Sequence, residues 1–219
     1  MISYKFQKKL EKILQPKMTE YFNTKDAKKL LAGKESGHIM GTIIEEMCGD
    51  LLKEEGFTIT YEVDSKGVPL KRAHSDFLLQ SKDLVNNKTN VKFGSENHGL
   101  PNVCAINRMM DALIDDRIDG YYLLKVKYNR KENKTNVYFV DILDYTDCIT
   151  ADVGTGQIML KEKKFYEVYG KSGRKTDLSL TEKKIKIFEL YDKQSEEHIK
   201  RRVEQREKRR EQLEEIRSK

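Results

Sequence analysis

Phe6, Leu10, Leu14 and Met18 recur at the four-residue spacing of one helix face, with Pro16 inside the run. The pattern predicts a helical first segment over residues 4 to 22, interrupted where the proline lacks its N–H. From Ser36 to Glu55, Ile39, Met40, Ile43, Ile44, Met47, Cys48, Leu51 and Leu52 form adjacent apolar pairs every four residues, an amphipathic helix closed by Gly56. Phe57 to Val63 then alternates as a strand, and Gly67 and Pro69 mark a turn.

Two more short strands are expected around Ser75 to Gln80 and Thr89 to Phe93, joined by the polar tip Asn86-Asn87-Lys88. Asn102 is placed to cap a helix whose apolar face is Val103, Ile106, Met109, Met110 and Leu113. Tyr122, Leu124, Val126 and Tyr128 alternate with Lys125 and Lys127, and the charged tip Asn129 to Lys134 joins this strand to another over Asn136 to Leu143. A helix, three strands, a helix and a strand make an α/β fold with a mixed sheet flanked by helices. Thr150 to Gly156 contains a GxG but neither a P-loop nor a dinucleotide fingerprint, and a turn accounts for it.

The tail differs in kind. Thr181 to Lys219 has no Gly or Pro and carries 13 Lys+Arg against 10 Asp+Glu, while apolar residues thin out to Ile199, Val203, Leu213 and Ile216. It reads as a long, mostly solvated helix with pairs such as Glu197 with Arg201 and Glu204 with Lys208. The domain reading is therefore 1–180 as the body and 181–219 as a charged helical extension.

Composition narrows the classes. The 219 residues are 37% hydrophobic and 36% charged with a net charge of +6, polar but outside the regime of full disorder. Lys5, Lys8, Lys9, Glu11 and Lys12 break up the N-terminal apolar residues, and no apolar run is long enough to span a bilayer, so a soluble, cytoplasmic protein with no membrane partner is expected. Cys48, Cys104 and Cys148 are odd in number and widely spaced, which argues against a disulfide framework. With no CxxC or HxxxH pair, and with His38, His74, His98 and His198 scattered, zinc is not expected.

Chemistry concentrates in His74-Ser75-Asp76 on one strand and Asn90-Val91-Lys92 on the next. In a strand, positions 90 and 92 share a face while Val91 enters the core on the other. A carboxylate and an amide carbonyl are hard oxygen ligands suited to Mg²⁺, and a lysine beside them can act on an attacking water. Taken alone, the spacing also fits an ordinary hairpin with a solvated face.

The stretch Gly41 to Tyr128 resembles the PD-(D/E)xK nuclease superfamily, specifically type II restriction endonucleases, whose core runs helix, three strands, helix, strand. The resemblance implies Asp76 for the motif's Asp, Asn90 for its second acid and Lys92 for its lysine, with Glu45 or Glu46 as the helix glutamate; Glu45 has the better spacing from Gly41. Ser75 stands where the motif has Pro, and Asn90 is neutral where most relatives are charged, a variation that some members share. The resemblance further implies a restriction-endonuclease-like core over about 38–128, Mg²⁺ held by Asp76, Asn90 and Glu45, double-stranded DNA as substrate, a homodimer, and a cognate DNA methyltransferase as genetic partner. A repair or recombination nuclease of the same fold and a non-catalytic nucleic-acid-binding protein are the alternatives.

The loop from Phe93 to Asn102 lies along DNA in that family, which implies contacts from Ser95, Asn97, His98 and Asn102, with Asn107 and Arg108 on the following helix as weaker candidates. A polar loop with a helix cap explains Asn102 equally well. Lys161 to Lys175 interleaves lysines with Phe165, Tyr166 and Tyr169, fitting either a backbone-tracking surface or an exposed hairpin. The basic tail fits DNA, a second subunit or a merely solvated helix.

Overall fold

The computed structural model describes residues 4–32, 36–61, 63, 65–68, 77–81, 84–95, 102–114, 120–172 and 178–218. The elements are α1 (Tyr4–Asn23), α2 (Lys25–Ala32), α3 (Ser36–Glu54), β1 (Thr58–Thr60), β2 (Phe77–Ser81), β3 (Leu84–Ser95), β4 (Asn102–Ala105), α4 (Ile106–Ile114), β5 (Tyr121–Asn129), β6 (Lys134–Asp141), a 3-10 helix (Ile142–Cys148), β7 (Ile149–Ala151), β8 (Gln157–Leu160), α5 (Glu162–Ser172) and α6 (Leu180–Arg217). The protein is mixed α/β with a mixed sheet and a long C-terminal helix, as the sequence pattern predicts. No helix among the described residues is long and apolar enough to cross a membrane.

The main sheet has five strands in the order β1-β2-β3-β5-β6. All neighbours are antiparallel except β3 and β5, which run parallel and are separated in sequence by α4. A parallel neighbour needs a crossover, and here β4 and α4 supply it. Burial follows the two-residue period of β5: Tyr122, Leu124, Val126 and Tyr128 pack with α1, α2 and α3 on one face, while Tyr121 and Leu123 pack with α4, α5 and α6 on the other. Helices thus cover both faces. A second sheet, β4-β8-β7, completes the α4 side.

Several elements depart from the sequence expectations. Helix α1 continues through Pro16. Leu10, Leu14, Met18 and Phe22 are all fully buried at four-residue spacing, and that burial outweighs a proline cost of about 3 kcal/mol. The tip of the β2–β3 hairpin is not Asn86-Asn87-Lys88, because Asn87 pairs with Leu79 and Lys88 with Leu78 inside the ladder, and the strand begins at Leu84. Asn102 does not cap a helix: it opens β4 and pairs with Met159 of β8, a partner too distant in sequence for local pattern to reveal. Lys161 to Lys175 is not a hairpin, since α5 runs over Glu162–Ser172 and stacks Phe165, Tyr166 and Tyr169 around Tyr138.

Helix ends agree with their signals. Gly56, at φ 87°, ends α3, where its N–H donates to Lys53 O (2.9 Å) and Phe57 N–H donates to Leu52 O (3.1 Å), the double bond of a glycine-terminated helix. Ser179 and Glu182 bond reciprocally at the start of α6: the Ser179 hydroxyl accepts from Glu182 N–H and the Glu182 carboxylate accepts from Ser179 N–H.

Lys183 anchors α6 to the body. It is 2% exposed, ion-paired with Asp144 and 4.0 Å from the wholly buried Asp141. One Asp141 oxygen accepts from Tyr121 N–H (3.2 Å) and Leu143 N–H (3.1 Å), and the other has no hydrogen-bond donor among the described residues. Burial first, then the Asp144 charge, raise the Asp141 carboxyl to about 7 despite Lys183 and the two backbone donors. A carboxyl raised on folding binds more protons in the native state, so its contribution is fullest below its unfolded value near 3.8 and is lost as pH climbs toward about 7. Asp141→Asn should therefore gain stability relative to the wild type between about pH 4 and 8. Urea midpoints of the two proteins across that range are the check, and a difference independent of pH would refute the linkage.

Candidate functional site

The residues singled out by sequence fall around β3. Val91 is buried with α3 and β5 residues on the α1–α3 face, so the two-residue period puts positions 90 and 92 on the opposite face. In the parallel ladder, Asn90 pairs with Leu123 and Lys92 with Lys125. Lys92 is half-buried, and Asn90 and Ser95 are described by their backbone alone. Asp76, Asn97 and His98 lie outside the described residues. Asp76 directly precedes Phe77, the first residue of β2, and Asn90 directly follows Thr89, the residue with which Phe77 pairs.

Glu45 and Glu46, the two candidates for the helix glutamate, differ in place: Glu45 is half-buried and Glu46 exposed. Glu45 lies close enough to Cys48 to reinforce the upward push that burial gives its thiol, which stays protonated and unreactive. Helix α3 nevertheless packs on the Val91 side of the sheet, across from the face of Lys92. Asn102 is exposed at the start of β4, and Asn107 (exposed) and Arg108 (half-buried) sit in the first turn of α4.

What the sequence reading missed is the company Lys92 keeps. Lys125, which the sequence shows only as alternating with apolar residues, is 2% exposed and ion-paired with Glu162 at the start of α5. Burial lowers its pKa, and the bond to Glu162 opposes that fall. Beyond it on the strand, Lys127 lies over the Tyr166 ring, 4.8 Å from the centroid. Lys92, Lys125, Lys127 and Glu162 therefore share one side of the β3–β5 pair. The two-residue spacing of Lys125 and Lys127 was visible in sequence, but their cover comes from α5, some 35 residues later.

A hollow of about 420 Å³ lies between α1, β6 and α5. Its acid, Glu11, already accepts from Phe139 N–H (2.8 Å) and from the Tyr169 hydroxyl, with Lys8 3.1 Å away. These bonds fix Glu11 in a structural role. Compared with known proteins, the chain matches no family model, and no curated protein is significantly similar to it.

Proposed function

We propose that the protein is a Mg²⁺-dependent, sequence-specific endonuclease of double-stranded DNA, built on a restriction-endonuclease-like core. The observation that carries this reading is the topology around β3. An antiparallel β1-β2-β3 meander follows α3, and β5 then returns parallel to β3 after α4, with Val91 buried between the two positions assigned to chemistry. The resemblance of residues 41–128 implies the element order helix, three strands, helix, strand, to which the short β4 is added before α4.

The donor set suits the ion. Asp76 and Asn90, which flank the paired Phe77 and Thr89 in sequence, would offer hard oxygens, and Glu45 is the helix acid of the resemblance, although α3 sits across the sheet from Lys92. Bound there, Mg²⁺ would supply positive charge to a phosphodiester undergoing attack. Lys92 orients the attacking water and holds or releases its proton, with Lys125 kept on the adjacent strand by Glu162. The loop and helix residues Ser95, Asn97, His98, Asn102 and Arg108 would contact DNA. Cutting both strands of a palindrome calls for a twofold homodimer, and a cognate methyltransferase would protect the host's sites.

Incubation with a long natural DNA and Mg²⁺ tests the proposal: discrete fragments support it, a smear indicates a nuclease without sequence specificity, and binding without cleavage indicates a non-catalytic DNA-binding protein. The neutral Asn90 is what favours that last reading. Asn90→Asp should therefore keep or tighten metal affinity, shifting the Mg²⁺ activation midpoint downward severalfold because a charged ligand replaces a neutral one. A variant that no longer responds to Mg²⁺ would count against the assignment.

A further inference from the structure

The first half of α6 is held by the body and the second half is not. Lys183 and Ile187 are buried, the last hydrogen bonds to the body among the described residues are from Gln194 (3.5 Å) and His198 (2.7 Å) to Val153 O in the β7–β8 turn, and the Arg201 charge acts on Asp152 of that turn. From Ile199 to Ser218 every residue is exposed, so about 28 Å of helix stands free at 1.5 Å per residue.

Most charges on this free segment are sorted by face. At about 100° per residue, Arg202, Arg206, Arg209, Arg210 and Arg217 fall within an arc roughly 100° wide, and Glu204, Glu207, Glu211, Glu214 and Glu215 occupy a separate arc of about the same width. Lys200 falls inside the acidic arc, and Arg201 and Lys208 fall outside both arcs. Ile199 and Leu213 lie among the arginines, and Val203 and Ile216 flank the stripe on either side. Shared surface between Arg202, Arg206, Arg209, Arg210 and Leu213 forms a shallow hollow along the helix. A solvated helix needs no such segregation, because mixed charges at four-residue spacing stabilise it better.

We infer that this arginine stripe docks on the phosphate backbone of duplex DNA. The partner's identity rests on the nuclease reading, whereas the stripe itself does not. Its charge complements a polyanion, and guanidinium forks match phosphate oxygens. Arg202 to Arg217 extends about 22 Å along the helix axis, enough to meet several phosphates in succession. A second copy of the helix is a poorer occupant. The heptad seam through Ile199, Val203, Arg206, Arg210, Leu213 and Arg217 would oppose arginines in half its positions. A membrane surface is poorer too, since an interfacial helix needs a broad apolar face and this one has two apolar side chains within the stripe and one at each edge.

The test uses the full chain and a 30-base-pair duplex without divalent metal, so that nothing is cut. R206Q/R210Q removes two charges from the stripe, and K200Q/K208Q removes the same two from outside it. Fluorescence anisotropy over a salt series should show R206Q/R210Q binding about tenfold more weakly, with the slope of log affinity against log salt shallower by roughly 1.8, and K200Q/K208Q near wild type. Equal losses in both variants, an unchanged slope in R206Q/R210Q, or a wild-type chain that does not bind the duplex would each overturn the inference. So would a change confined to sedimentation or to capture by anionic phosphatidylserine vesicles. Parallel Mg²⁺ cleavage assays keep the two ideas separable, because an inactive wild type with the expected slope change defeats the nuclease reading alone.

Discussion

Asp76→Ala should lower Mg²⁺-dependent cleavage by several orders of magnitude and leave site-specific DNA binding in place. The argument is electrostatic. A carboxylate beside a phosphodiester repels it at about 1 kcal/mol even in bulk-water dielectric at 4 Å, and more where water is excluded. In metal-free buffer, removing that charge should leave DNA binding equal or tighter. In Mg²⁺ the same change takes away a hard oxygen ligand from the site and with it the charge needed at phosphorus. Gel shifts and cleavage on one DNA read both effects. Retained cutting by Asp76→Ala would place the active site elsewhere and remove the main support for the nuclease proposal.

The largest effect on stability is expected at Lys183. Replacing it with Met keeps the length of the side chain and leaves Asp141 and Asp144 buried without this cation. Removing one partner from a buried ion pair costs about 3–5 kcal/mol, which for a chain of this size lowers the melting temperature by on the order of 10 °C. The cost should shrink in mild acid, because Asp141 is already raised to about 7 and takes up a proton readily when its cation is gone. Melting curves of Lys183→Met at about pH 8 and about pH 5 measure the difference, and a loss of stability equal at both would show that packing, not charge, dominates.

How far the sequence foretold the molecule depends on which residues each element answers to. Helices α3 and α6 and the β5–β6 hairpin were readable because local signals specify them: the apolar pairs and Gly56 stop of α3, the run without Gly or Pro and the four-residue charge pairs of α6, and the alternation and charged tip at Asn129–Lys134 of the hairpin. Strand β4 was not, since Asn102 and Cys104 become a strand only by pairing with β8 more than fifty residues later. Helix α5 was misread for a similar reason. Its aromatic residues alternate loosely with lysines, and only Tyr138 and Tyr145 on other elements show that Phe165, Tyr166 and Tyr169 form one packed face. At the candidate site, the placement of Val91 opposite positions 90 and 92 followed from the strand period alone. The ion pair that ties Lys125 to Glu162 beside Lys92 did not, because period gives a face and tertiary packing decides what covers it.

The grip of Glu11 on the outer strand has a consequence for assembly. An edge strand with open N–H groups is a template on which another chain can crystallise into a continuous ribbon. On β6 the Phe139 N–H is already taken by the Glu11 carboxylate, and α1 lies along the strand behind it. A neighbouring chain would have to evict a buried acid and a helix to add a strand there. Strand addition is therefore opposed on the β6 flank, the one of the two sheet edges that Glu11 guards, while β1 forms the other.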